Sequence, residues 1–343
     1  MNIDFDTSNS IIKSINPTFS NSLKIYKNRL NNYNKNVKQF LNKNNNECLS
    51  IMKTKQGEYK IDSLKLILKH RIGSNSRYGA IFLTTNAKKQ FYATKLTVVD
   101  DYNYNEIVIS TKLSNITKDN KSPHFLLIYK YLKCYNTFNI KLPTIIKQSN
   151  YFMMVCEIAS GNLKQFLYEY EHEPSLILNA YQQVLMAILA FHHFTGGYFH
   201  SDCHYKNFLY HKIKAGGYFH YNIFGKDIYI ENMGYVFVIW DFGLVKTNSH
   251  RMVQRLEDYF KITSIIYSMF KYKYNTHNDI INILSSILKY KHTYITYFLN
   301  HDKDFFVKLL FSLKNLFLFE LPSSKSKGSN KIINNIPYHI TDF

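Results

Sequence analysis

Cysteine is scarce in this chain, with four in 343 residues, and Cys48, Cys134, Cys156 and Cys203 form no C-x-x-C pair. That excludes a disulfide-dense scaffold and a zinc-ribbon spacing. With no secretory signal either, it leads to the expectation of an intracellular, reducing compartment. Long apolar runs are missing too. The stretch 184–191 is short and 305–319 is broken by Lys308 and Lys314, so no membrane span is expected. Acidic residues are outnumbered, 24 against 43 Lys and Arg, for a formal net charge of +19. Such a surface attracts anions: nucleotides, nucleic acid, acidic proteins. The basic residues are spread along the chain among Asn and Tyr, so a Lys/Asn-rich composition explains the charge before a dedicated nucleic-acid surface does. No internal repeat is present.

What remains is ordinary globular material, 45% hydrophobic and 20% charged, enough for one large or two modest domains. Residues 1–58 form an appendage in which Leu23, Tyr26, Leu30, Tyr33, Val37 and Phe40 recur at three- and four-residue steps. They make one apolar stripe on a helix that packs on the main domain. Residues 42–47 are a polar linker. From 59 to 157 the pattern is mostly β, with strands expected at 63–71, 80–85, 90–99, 125–131 and 151–156 and a short helix at 105–114. From 158 to 321 it turns helical around 184–191, 262–270, 279–289 and 304–319, with strands at 207–210 and 235–240. A hairpin at 216–234 marks an insertion of about 211–235. A basic Ser/Lys-rich tail, 322–343, ends the chain. The expected fold class is α+β.

Two acidic motifs stand in the helical part. His200-Ser201-Asp202-Cys203-His204-Tyr205-Lys206-Asn207 fits H-x-D-x-x-x-x-N, in which an Asp holds an attacking hydroxyl and an Asn binds a metal. Asp241-Phe242-Gly243 ends the apolar run 235–240 and fits D-F-G, whose Asp grips Mg²⁺ on nucleotide phosphates. Either motif arises easily by chance; both in order, each after the right secondary structure, do not.

On these residues the chain resembles the protein kinases. The resemblance implies a bilobal fold: a small β-rich N-lobe, a larger helical C-lobe with the inserted β-hairpin, and ATP and Mg²⁺ as cofactors. It further implies that Lys95, in Ala93-Thr94-Lys95, holds the α- and β-phosphates and pairs with Glu106, the only glutamate between Lys95 and Glu157. Ile72, Gly73 and Gly79 would bound a phosphate-covering loop, although a glycine-containing β-turn is the commoner explanation for such a stretch. Main chain from Glu157 to Ala159 would bond the adenine edge, with Cys156 behind it. Asp202 would be the catalytic base, Asn207 and Asp241 the Mg²⁺ ligands. His200 would bond backbone near Asp241, Phe242 would pack between the lobes, and Asp258 would brace the catalytic loop.

Three departures qualify the resemblance. His204 stands where Ser/Thr kinases carry Lys, as in kinases of small molecules; it could touch the γ-phosphate, with Lys206 a substitute. The long gap from Asn207 to Asp241 is similar to that in probable serine/threonine kinases of large cytoplasmic DNA viruses. The segment from Gly243 to Asp258 is short and has no A-P-E, with Thr247 and Ser249 its only hydroxyls. The expected function is phosphoryl transfer from ATP to Ser/Thr of a protein substrate. A small-molecule kinase and an inactive pseudokinase or packaging protein are the alternatives.

Overall fold

The computed structural model describes residues 29–41, 51–53, 59–61, 64–72, 79–135, 150–246, 252–273, 277–297, 333–334 and 337–340. Several expectations therefore lie outside the described residues: Leu23 and Tyr26 of the stripe, the linker 42–47, Gly73 and the loop to Tyr78, Thr247 and Ser249, the helix 304–319, and most of the tail. The described chain is mixed α+β, with largely antiparallel sheets and six helices. It divides into two compact units, the first drawn from residues up to Ser114 and Leu126–Ala159, the second from Asn115–Phe125 and residues from Ser160 onward.

The first unit contains helix α1 (Arg29–Leu41), then β1 (Ile51–Lys53), β2 (Tyr59–Ile61), β3 (Leu66–Ile72), β4 (Gly79–Asn86) and β5 (Phe91–Val98). Helix α2 (Asp101–Lys118), whose residues from Asn115 on fall in the second unit, β6 (Ile128–Tyr135) and β7 (Asn150–Cys156) follow. The seven strands form one antiparallel sheet in the order β1-β2-β3-β4-β5-β7-β6. Side chains alternate across a strand, and here the alternation divides the core. Tyr92 and Leu96 of β5, Tyr151, Met153 and Val155 of β7, and Leu66 and Leu68 of β3 share one cluster with Tyr33 and Phe40 of α1. Leu30 and Val37 pack against it. Tyr33 stacks on Tyr129 at 5.1 Å, and Phe40 meets Tyr92 edge-on at 5.5 Å. The apolar stripe thus covers a sheet face, as its spacing indicated.

Helix α2 is longer than the 105–114 expected. Its start is set by Asp100, whose Oδ1 accepts the N–H of Asn103 at 2.7 Å while Asn103 Nδ2 donates to Val98 O at 3.1 Å. This cap turns the chain from β5 into the helix within two residues.

The second unit contains β8 (Gly161–Asn162), α3 (Leu163–Glu169), α4 (Pro174–Thr195), β9 (Phe208–Lys212), β10 (Tyr218–Ile223), β11 (Lys226–Glu231) and β12 (Tyr235–Ile239). Then come a 3-10 turn (Phe242–Leu244), α5 (Met252–Lys273), α6 (Asn278–Tyr297) and β13 (Tyr338–Ile340). Helix α4 is long and apolar enough to cross a membrane, but it is mostly buried inside the protein, as a core helix is. Its buried Gln183 gives Nε2 to Tyr235 O and accepts the N–H of Phe237, tying the core helix to β12. Strands β9 and β12 pair antiparallel, Phe208 opposite Ile239, which fixes the chain on either side of the two acidic motifs.

The expected hairpin is β10–β11. Its two-residue turn is Phe224-Gly225, with φ of 50° and 77° at the two positions; such a turn needs positive φ at both, which Gly supplies without strain. Strand β13 adds to β10 in parallel, and Phe224 N–H donates to Ile340 O at 3.0 Å. Cys156 and Cys203 are buried free thiols. Cys134 is disulfide-bonded.

Candidate functional site

In the first unit, parity along β5 puts Tyr92 and Leu96 in the α1 cluster and sends Lys95 to the other face. There Lys95 Nζ lies 2.5 Å from Glu106 Oε1, with the side chains 11% and 3% exposed. A buried cation and anion tolerate each other only as a pair, so removing one strands the other. The turn at Asp100 brings residues eleven apart together. Cys156, fully buried nearby, has its thiol pushed up by burial and then by the charges of Glu106 and Glu157, so it is a neutral, inert thiol.

The other residues expected to bind nucleotide in this unit fare differently. Ile72 ends β3 opposite Ile81 of β4. Gly79 opens β4, and a Cβ there would lie 2.4 Å from Leu96 O and 2.8 Å from Thr97 Cγ2. Close strand approach therefore requires this glycine, whatever the preceding loop does. Glu157, one of the residues whose main chain was expected at an adenine edge, is anchored within the unit. Its N–H donates to Leu127 O at 2.9 Å, and its Oε1 accepts Leu127 N–H at 2.8 Å. Its carboxylate also takes both Nε, at 3.1 Å, and Nη2 of Arg29. Ala159 follows, half-buried, at the end of the unit.

In the second unit the two acidic motifs meet. Asn207 Nδ2 donates to Asp202 O and to Asp202 Oδ2, both at 3.0 Å. Its main-chain oxygen accepts Trp240 N–H at 3.0 Å, immediately before Asp241. His200 Nε2 bonds Trp240 O at 3.0 Å. Asp241 adopts φ 67° and ψ 71°, a left-handed conformation uncommon outside Gly. Phe242 is buried against Phe191, stacked at 5.4 Å, and against His200 at 5.4 Å, all within this unit.

The loop rests on α5. Asp258, buried, accepts His200 N–H at 2.7 Å and Ser201 N–H at 3.0 Å, while His192 Nε2 lies 3.0 Å away. Burial pushes the Asp258 carboxyl up, but the hydrogen bond and charge of His192 and the N–H of His200 outweigh it, leaving it below the usual carboxylate range. An ionised carboxylate only accepts, so His192 donates through Nε2 and its Nδ1 faces Tyr259 OH at 3.2 Å.

Asp202 is held from three sides. Besides Asn207, His204 Nε2 lies 3.4 Å from Oδ2 and Lys261 Nζ 3.2 Å from Oδ1. Lys206 N–H donates to His204 Nδ1 at 3.2 Å, which leaves His204 its hydrogen on Nε2, toward Asp202. The cation that meets Asp202 is Lys261, a residue the motif reading did not single out. Sequence reasoning also missed Arg29, 128 residues from its partner. No spacing signals Arg29. Lys261 lies three residues after Asp258 on a helix, a same-face interval that a helical reading of α5 carries.

No family model matches the chain, and no curated protein matches it.

The oxygen donors suit a hard cation. Asn207 commits its amide nitrogen to Asp202, so Oδ1 is the end left to a ligand, and Asp241 follows two residues after Ile239 in the fixed β9–β12 pair. Among the described residues no group of three or more His, Cys, Asp and Glu forms a metal cage. One amide and one carboxylate fit Mg²⁺, which keeps waters and substrate oxygens in its shell.

Proposed function

We propose that the chain is an ATP- and Mg²⁺-dependent phosphotransferase of protein-kinase type, acting on Ser/Thr hydroxyls of a protein. The observation that carries this reading is the double use of Asn207. Its side chain holds Asp202 and its main chain holds Trp240, so one residue joins the two acidic motifs. In this reading Asp202 accepts the hydroxyl proton as oxygen attacks the γ-phosphorus, a contribution of about 10²–10⁴ in rate. Asn207 and Asp241 would hold Mg²⁺, which supplies neutralisation of charge on the phosphates. Lys95, oriented by Glu106, is assigned to the α- and β-phosphates. The bilobal kinase architecture belongs to the same proposal, supported by an antiparallel sheet unit bearing the Lys95–Glu106 pair and a helical unit bearing the acidic motifs.

His204 against Asp202 favours a second reading, transfer to a small-molecule hydroxyl. The test is transfer of ³²P from ATP to casein, myelin basic protein and histone, set against a metabolite panel. Label on protein Ser/Thr supports the first reading, and label on a metabolite alone moves the assignment to the second. Asp202→Ala and Asp241→Ala are each expected to lose transfer, the former with ATP binding nearly intact. Substantial transfer by Asp241→Ala would remove Asp241 from the metal site, and Mg·ATP binding with no turnover on any acceptor would make the chain a pseudokinase.

A further inference from the structure

Helix α5 presents two charged residues to the loop around Asp202. Asp258 accepts the loop's backbone N–H groups, and Lys261, one helical step on, reaches Asp202 Oδ1 at 3.2 Å. Residues three apart lie on one helix face, so the register that seats Asp258 under His200 and Ser201 also lays Lys261 along the carboxylate. The Lys261 side chain is 43% exposed and that of Asp202 28%. An ion pair so exposed contributes little to stability. Stability is therefore a weak reason for the contact, and the carboxylate it engages among the described residues is the candidate base. The two Asp202 oxygens are divided between partners: Oδ2 faces the amide of Asn207 and the ring of His204, and Oδ1 faces Lys261. Within the loop itself, the position two after Asp202 is a histidine whose hydrogen points at the carboxylate.

We propose that Lys261 is a positioning residue for phosphoryl transfer: it orients Asp202 and brings from helix α5 to the Asp202 carboxylate a permanent positive charge that the histidine two positions after Asp202 does not carry. This rests on the phosphotransferase reading. During transfer, negative charge spreads over the oxygens of the γ-phosphoryl group. An ammonium fixed against the base's outer oxygen stands beside the acceptor hydroxyl, where it opposes that charge while keeping Oδ2 in register with the proton it receives. The proton moves from the hydroxyl to Asp202, the oxygen–phosphorus bond forms, and the bond to the β-phosphate oxygen breaks with its electron pair leaving on ADP. Lys261 keeps its protons throughout.

The experiment compares the full chain with Lys261→Ala, Lys261→Met, Lys261→Arg and Asp202→Ala in steady-state transfer from Mg·ATP, with thermal melts of each. Lys261→Met retains an aliphatic stem and loses the charge. The expected result is a loss of about 10²-fold in kcat for Lys261→Ala and Lys261→Met, comparable to removal of one preorganised donor, with KM for ATP nearly unchanged. Melts should stay close to wild type and Lys261→Arg should recover much of the rate. A folded Lys261→Met variant with near-wild-type kcat, beside an inactive Asp202→Ala, overturns the assignment and leaves the phosphotransferase reading standing. A rise in KM alone also overturns it, since that would make Lys261 a binding group. Absence of transfer by the wild type, or full transfer by Asp202→Ala, removes the underlying reading and this assignment with it.

Discussion

Asp258 shows how one side chain sets the chemistry of another without touching it. It spends both oxygens on three donors, two of them backbone N–H groups of the residues preceding Asp202. Its carboxyl sits below the ordinary value of 3.8, so the unfolded chain binds the proton more readily than the folded one. Stability from this group is then complete above about pH 3.8 and is lost as pH falls through the lower, folded value. Urea midpoints measured from pH 6 downward should decline in that acid range. In Asp258→Asn they should start lower, reflecting a loss of about 1–3 kcal/mol in unfolding free energy for poorly satisfied buried donors, and lose this part of the acid dependence. An unchanged acid limb in the variant would show that other carboxylates carry it. The brace itself was legible, because an acid on the helix after D-F-G is a short-range pattern, although the helix begins earlier, at Met252. Its partner His192 was not, since that ring comes from α4 and nothing local marks it as a donor.

At the scale of the element, α1 shows where periodicity succeeds and where it ends. The spacing of Tyr33, Val37 and Phe40 announces an apolar face, and that face is found on the sheet. What periodicity cannot show is the polar anchor at its first residue. Arg29 and Glu157 are 7% and 1% exposed at their side chains, and Glu157 simultaneously holds both main-chain groups of Leu127. Arg29→Ala leaves that carboxylate buried without its cation, which costs about 3–5 kcal/mol. Arg29→Ala with Glu157→Gln removes the stranded charge and should recover part of the loss, readable as a non-additive double-mutant cycle by chemical denaturation. Equal, additive losses would mean that the two residues act on stability separately. The same limit explains α2. Its length followed from Asp100, a cap at a strand end, whereas the apolar pattern reports only the turns that pack. Gly79 teaches the converse: a glycine that reads as part of a phosphate loop is demanded by Leu96 O lying where its Cβ would go.

For the molecule as a whole, the phosphotransferase reading makes a thermodynamic demand: it assigns Lys95 and Asp241 to one nucleotide. A ligand that binds only the native state stabilises it by RT ln(1 + [L]/Kd), about 2.7 kcal/mol at a hundredfold excess over Kd. Mg·ATP should therefore raise the melting temperature of the wild type, and Lys95→Met and Asp241→Ala should each reduce that increment. If one nucleotide engages both residues, the two losses are coupled, because once either contact is gone the other orients a ligand that is already displaced. The double variant should then lose less than the sum of the single losses. Lys95→Met also strands Glu106 and lowers the unliganded baseline, so the quantity compared is the nucleotide-dependent increment of each variant over its own baseline. Strict additivity of those increments would mean that the residues do not act on a shared ligand. The Lys95–Glu106 pair and the Asp202–Asn207 contact would then be two local structures, each with its own reason to exist, and the single-site reading would fall.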